Sequence, residues 1–295
     1  SCSSTTTEYR TATTALRQEK DVKKAEEFAL KAIDLYPEDA LPAYFLAMEV
    51  YGTKQRQDYA KAYEYFEKAL EMDKLDEKEQ KLEASKMVPS NDGPPIELKT
   101  IKQAIEYYSY NLWVETFNKG IELQTAGQLN EAIEMFHVAN KFKPDDLKNY
   151  TALAELYFKI QDFSSFNNYA DKALEQDNSL SRLWSFKGEI ALNNGDYFDA
   201  EVNFKKAWDA AISNKEPIAN INVYMNLLFS ALFNQGKQEA ALALNEDLIA
   251  SDPVNIDLYY NSGVVYQNIF TDNFKKSQIN MGNLNSLNDQ DKDEL

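Results

Sequence analysis

The chain has 295 residues and a formal net charge of −17, with few Gly or Pro and many Tyr and Phe. Such acidity argues against nucleic acid or an anionic membrane surface as a partner, since both require a basic footprint. No apolar run approaches the ~20 residues that span a bilayer, and abundant Ala, Leu, Glu and Lys favour long helices over β-sandwiches.

The chain opens on SCSSTTT, and Cys2 is its single cysteine, so no internal disulfide can form. A lone cysteine beside small residues, ahead of a short Ser/Thr tether (residues 1–7), resembles the mature start of a bacterial lipoprotein. The resemblance implies a lipid anchor on Cys2, and Ser3 in place of Asp implies sorting to the outer membrane. A chance cysteine is the alternative.

From residue 8 the pattern becomes helical. Residues 8–76 hold two units. Tyr9, Ala12, Leu16, Ala25, Ala29, Ala32 and Pro37 mark the first; Leu46, Ala47, Val50, Ala62, Phe66 and Ala69 mark the second. Residues 77–112 interrupt the series. EKEQKLEASKMV reads as a polar helical extension, PSNDGPP as a turn cluster, and a further helix carries Ile101, Ala104, Ile105 and Tyr108 into Trp113.

Three units then follow without a gap over residues 113–214, at a step of 34. Column eight holds Gly120, Ala154 and Gly188; column twenty-four holds Phe136, Ala170 and Phe204; column twenty-seven holds Ala139, Ala173 and Ala207. Each unit has two apolar stripes at helical spacing, separated by turn signals at Gly127, Asp162 and Gly195-Asp196. One such pair cannot bury its own face and must stack on its neighbours. A sixth unit is expected over 215–254, after six extra residues (NKEPIA). Residues 255–295 should hold a partial seventh, with Tyr259, Gly263 and Tyr266 in column, and then a polar cap or tail.

A period of 34 with these columns resembles the tetratricopeptide repeat. The resemblance implies an all-α, right-handed superhelix, or α-solenoid, of six to seven helix–turn–helix repeats with one inserted helical segment. It also implies that columns two, five, nine and twelve of each first helix line a concave groove. Those positions include Leu41, Tyr44, Met48 and Tyr51 in the second unit and Val114, Phe117 and Ile121 in the third. Phe158 follows in the fourth, Arg182 and Glu189 in the fifth, Met225 and Phe229 in the sixth, and Tyr260 in the seventh. Apolar and aromatic side chains there point to an amphipathic helix or extended peptide of a partner protein. Burial of the same residues against the insert or a neighbouring repeat is the competing expectation.

Nothing in the sequence assembles chemistry. There is no phosphate loop, no HExxH and no CxxC, and the single histidine, His137, sits beside an expected core phenylalanine. No catalytic residue, metal ligand, cofactor, nucleic acid or small-molecule substrate is expected. The leading reading is a non-catalytic scaffold or adaptor lipoprotein that holds partner proteins at the bacterial cell envelope, its only link to the membrane being the lipid anchor. The terminal Lys292–Leu295 reads KDEL, an address for endoplasmic-reticulum retention, which supports a lumenal co-chaperone as the alternative. Asn149-Tyr150-Thr151 is a formal glycosylation sequon. An accessory subunit of an enzyme complex is a third reading.

Overall fold

In a computed structural model of the chain, residues 6–75, 79–90 and 93–286 are described. Cys2 and the stretch Lys292–Leu295 lie outside them. The described residues form five antiparallel helical hairpins, two successive helices between the third and fourth of them, one further helix and one β-hairpin. The first hairpin pairs α1 (residues 7–19, whose last turn, Ala15–Glu19, is π-helical) with α2 (Val22–Leu35). The second pairs α3 (residues 41–51, π-helical over Leu46–Tyr51) with α4 (Tyr59–Asp73). Next come α5 (Ile101–Thr125) with α6 (Leu129–Phe142), then α7 (Leu147–Lys159) and α8 (Phe163–Gln176) in succession, and α9 (Ser181–Asn193) with α10 (Tyr197–Ser213). The last pair is α11 (Ile218–Asn234) with α12 (Gln238–Ser251), and α13 (Ile256–Ser286) follows.

Four of the turns between successive helices repeat one chemical device. Lys20, Gln57, Gln161 and Gly195 each adopt a left-handed backbone with φ between 52 and 77°. An aspartate follows each: Asp21, Asp58, Asp162 and Asp196 accept the backbone N–H three residues on, at 3.0–3.4 Å. The left-handed residue stops the first helix, and the aspartate satisfies an orphan donor at the start of the second, worth about 1 kcal/mol per cap.

The chain divides into two units, residues 1–156 and 157–295, the division falling inside α7. In the first unit, Ala25, Ala29 and Ala32 of α2 and Ala62, Phe66 and Ala69 of α4 are buried in one apolar cluster with Tyr9, Phe45 and Leu46. Alanines at these columns leave helices free to approach to about 8–10 Å, and the aromatic rings fill the remaining volume. In the second unit, Ala200, Phe204, Ala231, Ala241 and Leu248 are buried together.

The insert departs from its sequence reading. KLEASKMV is not a helical extension: Lys81–Val88 is strand β1, paired antiparallel with β2 (Ile96–Thr100), and only from Ile101 does the expected helix run. The composition has high helix propensity, but propensity is a weak prior that tertiary context overrides. Pro89, Pro94 and Pro95 force a turn, and pairing with β2 lets Val88 and Leu98 enter the core of the first unit.

Gln80 secures this hairpin. Its side-chain oxygen accepts the Ala40 N–H at 2.9 Å, and its amide donates to the Glu38 carbonyl at 2.6 Å. Its own N–H reaches Asp73 Oδ1 at 2.7 Å, and its carbonyl accepts the Ile101 N–H at 2.9 Å. Arg17 of α1 adds a guanidinium bridge to Glu49 of α3 and Glu83 of β1. The insert therefore docks on the repeats it interrupts.

Candidate partner-binding surfaces

In the first unit the expected groove is largely filled from within. Leu41, Tyr44 and Tyr51 are buried and belong to the same apolar cluster as Val88, Leu98, Ile101, Ala104 and Ile105 from the insert. They offer no free surface, which corrects their expected place in a groove. Tyr44 stacks on Phe66 at 6.3 Å, and burial pushes its phenol well above the ordinary tyrosine range. Tyr51 misses the groove for a further reason. The π-helical turn of α3 adds a residue to the turn, and the ring turns to stack on Tyr65 at 5.3 Å with its hydroxyl donating to Glu26.

Met48, Val114 and Phe117 are half-buried against that cluster, Phe117 lying edge-on to Phe136 at 5.2 Å. Ile121 is the expected groove residue of this unit that stands exposed. Asn149 is fully buried and donates to the Lys143 carbonyl, so in the folded chain its amide is not open to glycosylation. His137 is half-buried; burial and the nearby Lys141 cation both push its pKa down.

The second unit keeps more of its surface open. Phe158 stacks on Phe186 with ring centroids 3.9 Å apart, and the Arg182 guanidinium lies 5.3 Å from the same Phe186 ring. Glu189 is half-buried one turn from Ser185, whose hydroxyl donates to it at 3.4 Å. Burial raises its pKa, and the Ser185 hydrogen bond offsets only part of that. Tyr260 of α13 is 71% exposed.

Met225 and Phe229 are corrections. Both are buried, and the cause is a register offset of one residue. The left-handed glycines that end α9 and α11, Gly195 and Gly236, are 41 residues apart, seven more than the period of 34. The linker therefore adds seven residues rather than six, which moves Met225 and Phe229 to the core columns four and eight. The corresponding surface columns are held by Val223, which is 53% exposed, and by half-buried Asn226, Ser230 and Phe233. The glycine spacing carries this signal in the sequence itself.

A polar cleft of about 550 Å³ in the second unit is lined by Asn167, Trp184, Lys187, Asn194, Asp199 and Asn203, among others. Lys187 bridges Asp171 at 2.7 Å, and Trp184 carries the Lys206 ammonium 4.0 Å from its ring. This arrangement supplies no nucleophile–base pair. Among the described residues no group of three or more His, Cys, Asp or Glu is placed to hold a metal ion. None of the described helices is long and apolar enough to cross a membrane.

Residues 54–74, which comprise the second turn and α4, match the family model of the tetratricopeptide repeat. No curated protein matches the chain. Among solved structures, MamA protein is 18% identical, covering 52% of this chain and 81% of its own, with a TM-score of 0.44. PilW, a widely conserved type IV pilus biogenesis factor, is 16% identical over 86% of this chain and 96% of its own, with a TM-score of 0.39. YrrB, a tetratricopeptide protein with an unusual peptide-binding site, is 16% identical over 80% of this chain and 98% of its own, with a TM-score of 0.40. Likeness at this level bears on neither partner nor location. With the 34-residue step, the capped turns and the Gly–Phe and Ala–Ala packing columns, the match makes the fold a tetratricopeptide-type α-solenoid, the architecture of protein-interaction scaffolds.

Proposed function

We propose that the chain is a non-catalytic adaptor whose second unit grips a short segment of a partner protein along the exposed side of α9, α11 and α13. The observation that carries this reading is Glu189. A carboxylate drawn half out of water, with a raised pKa and a single weak hydroxyl donor at 3.4 Å, gains most from a cationic group brought to it. Exposed Val223 and Tyr260 supply apolar contact on the neighbouring first helices. The favoured ligand is therefore a peptide with apolar side chains and one Lys or Arg. The chain's net charge of −17 steers such a ligand towards it.

Affinity purification tests this. Val223→Glu and Glu189→Lys should each lose the partner recovered by the unaltered chain, with helicity unchanged. Recovery by both variants at the original level refutes the reading. Residue Phe229 is unsuited to such a test, because Phe229→Glu would bury a charge.

The finer placement, a lipid-anchored scaffold at the bacterial cell envelope, is supported by Cys2 and the Ser/Thr run beside it. It is tested by the mass of the N-terminal peptide from native material: a diacylglyceryl increment on Cys2 supports it, and an unmodified thiol overturns it.

A further inference from the structure

Helix α13 uses one side and leaves another bare. It packs on α12 through buried Leu258 and Val265 and half-buried Ile269, and Asn245 of α12 donates to the Leu258 carbonyl at 2.6 Å and to Ser262 Oγ at 2.7 Å. A second face carries Tyr259, Gly263, Tyr266, Phe270 and Phe274, at i, i+4, i+7, i+11 and i+15 and hence on one side of the helix. The four rings are 50%, 57%, 71% and 53% exposed. At 1.5 Å per residue α13 is about 46 Å long against about 21 Å for α12, and residues 272–279 are all exposed. A helix running free with phenylalanines in water lacks the tertiary packing that normally stabilises helices in proteins.

The bare face has a shaped feature that specifies its occupant. In two other hairpins the glycine at this column is a notch for a phenylalanine on the facing helix. A Cβ on Gly120 would stand 2.8 Å from the Phe136 ring, and one on Gly188 would stand 2.5 Å from the Phe204 ring. Gly263 occupies the same column and has nothing within 4 Å. The same face also bears the ring such a notch accepts, in Phe270 two turns further on.

We infer that α13 pairs antiparallel with α13 of a second copy of this chain, about a two-fold axis between Tyr266 and Gln267. In that register Phe270 of the second copy enters the notch at Gly263, Tyr259 faces Phe274, and the symmetry repeats both contacts. A two-fold interface requires such self-complementarity, in which i meets j and j meets i. The size fits a weak association. At about 200 Å² per large side chain, the four rings at their exposures present on the order of 450 Å² per copy. Two copies then bury roughly 900 Å², the range of weak, concentration-dependent interfaces.

Sedimentation velocity of the full chain across a wide concentration range reads the association directly. A concentration-dependent dimer is expected, reduced at least tenfold in association constant by Phe270→Glu. That site is exposed, so helicity by circular dichroism should be unchanged. The register is read by mild oxidation in a Cys2→Ser background. Tyr266→Cys, beside the axis, should give a covalent dimer, since a disulfide needs Cα atoms within about 7 Å. Tyr260→Cys, off the stripe, should not. A monomer at every concentration overturns the proposal, as does a dimer indifferent to Phe270→Glu. Equal cross-linking at both cysteine positions overturns it too.

Discussion

Replacing Gly188 by alanine places a methyl group where the chain has no room for one. The added Cβ would meet Phe204 Cε1 at 2.5 Å, Cδ1 at 2.6 Å and Cγ at 3.0 Å. Phe204 is fully buried among Ala200, Ala231 and Leu248, so its ring has no open side into which to retreat. On an exposed helix the same change would gain about 1 kcal/mol from helix propensity. Forcing a methyl into a filled core costs about 1–3 kcal/mol, and contacts this short belong at the upper end. The net expectation is a loss of about 2 kcal/mol. Urea denaturation followed by circular dichroism measures it. The mechanism is isolated by a double-mutant cycle with Phe204→Leu, which removes the ring and should absorb the methyl. The two losses should be sub-additive by at least about 1 kcal/mol, the scale of coupling between touching residues. A Gly188→Ala protein as stable as the parent, or an additive cycle, would falsify the steric account.

Gln80→Ala should cost about 2–3 kcal/mol in the first unit, because the fully buried Ala40 N–H loses its acceptor; hydrogen exchange should show β1 and β2 losing protection together. Glu26 supplies a pH dependence. Burial, the largest single influence, pushes its pKa up, but hydrogen bonds from Arg56 and Tyr51 outweigh it and leave the pKa lowered. A lowered carboxyl pKa contributes stability above the unfolded value, and that stability is lost as pH falls through the folded value. The melting-temperature gap between the parent and Glu26→Gln should therefore be widest at neutral pH and close in acid. Glu189 carries the opposite sign. Its raised pKa means that folding favours the protonated form, so stability falls as pH rises from the unfolded value through the folded one. Glu189→Gln should melt higher than the parent at pH 7 while weakening partner binding; a lower melting point would contradict the desolvation argument.

Much of the helical architecture is legible without coordinates. Periodicity within 113–214 is local information, because each column reports the burial demanded of that residue by contacts a few turns away. The turn aspartates are equally local: Asp162 and Asp196 act on backbone three residues on. Even the misplaced Met225 and Phe229 were recoverable, since the Gly195–Gly236 spacing fixes the register that the composition of the linker obscures.

The rest depended on contacts between distant residues. A sequence of Lys, Glu, Ala, Leu and Met became strand β1 because β2 supplied a partner and the core of the first unit accepted Val88 and Leu98. Gln80 looks like any surface glutamine until residues forty positions away place a carbonyl and an N–H beside it. Leu41, Tyr44 and Tyr51 have the sequence character of groove residues, and in the folded first unit they are core. The order of columns along a helix determines which side chains point outward; whether another segment then covers them is decided by the free energy of burying that segment, and the tertiary structure alone reveals it.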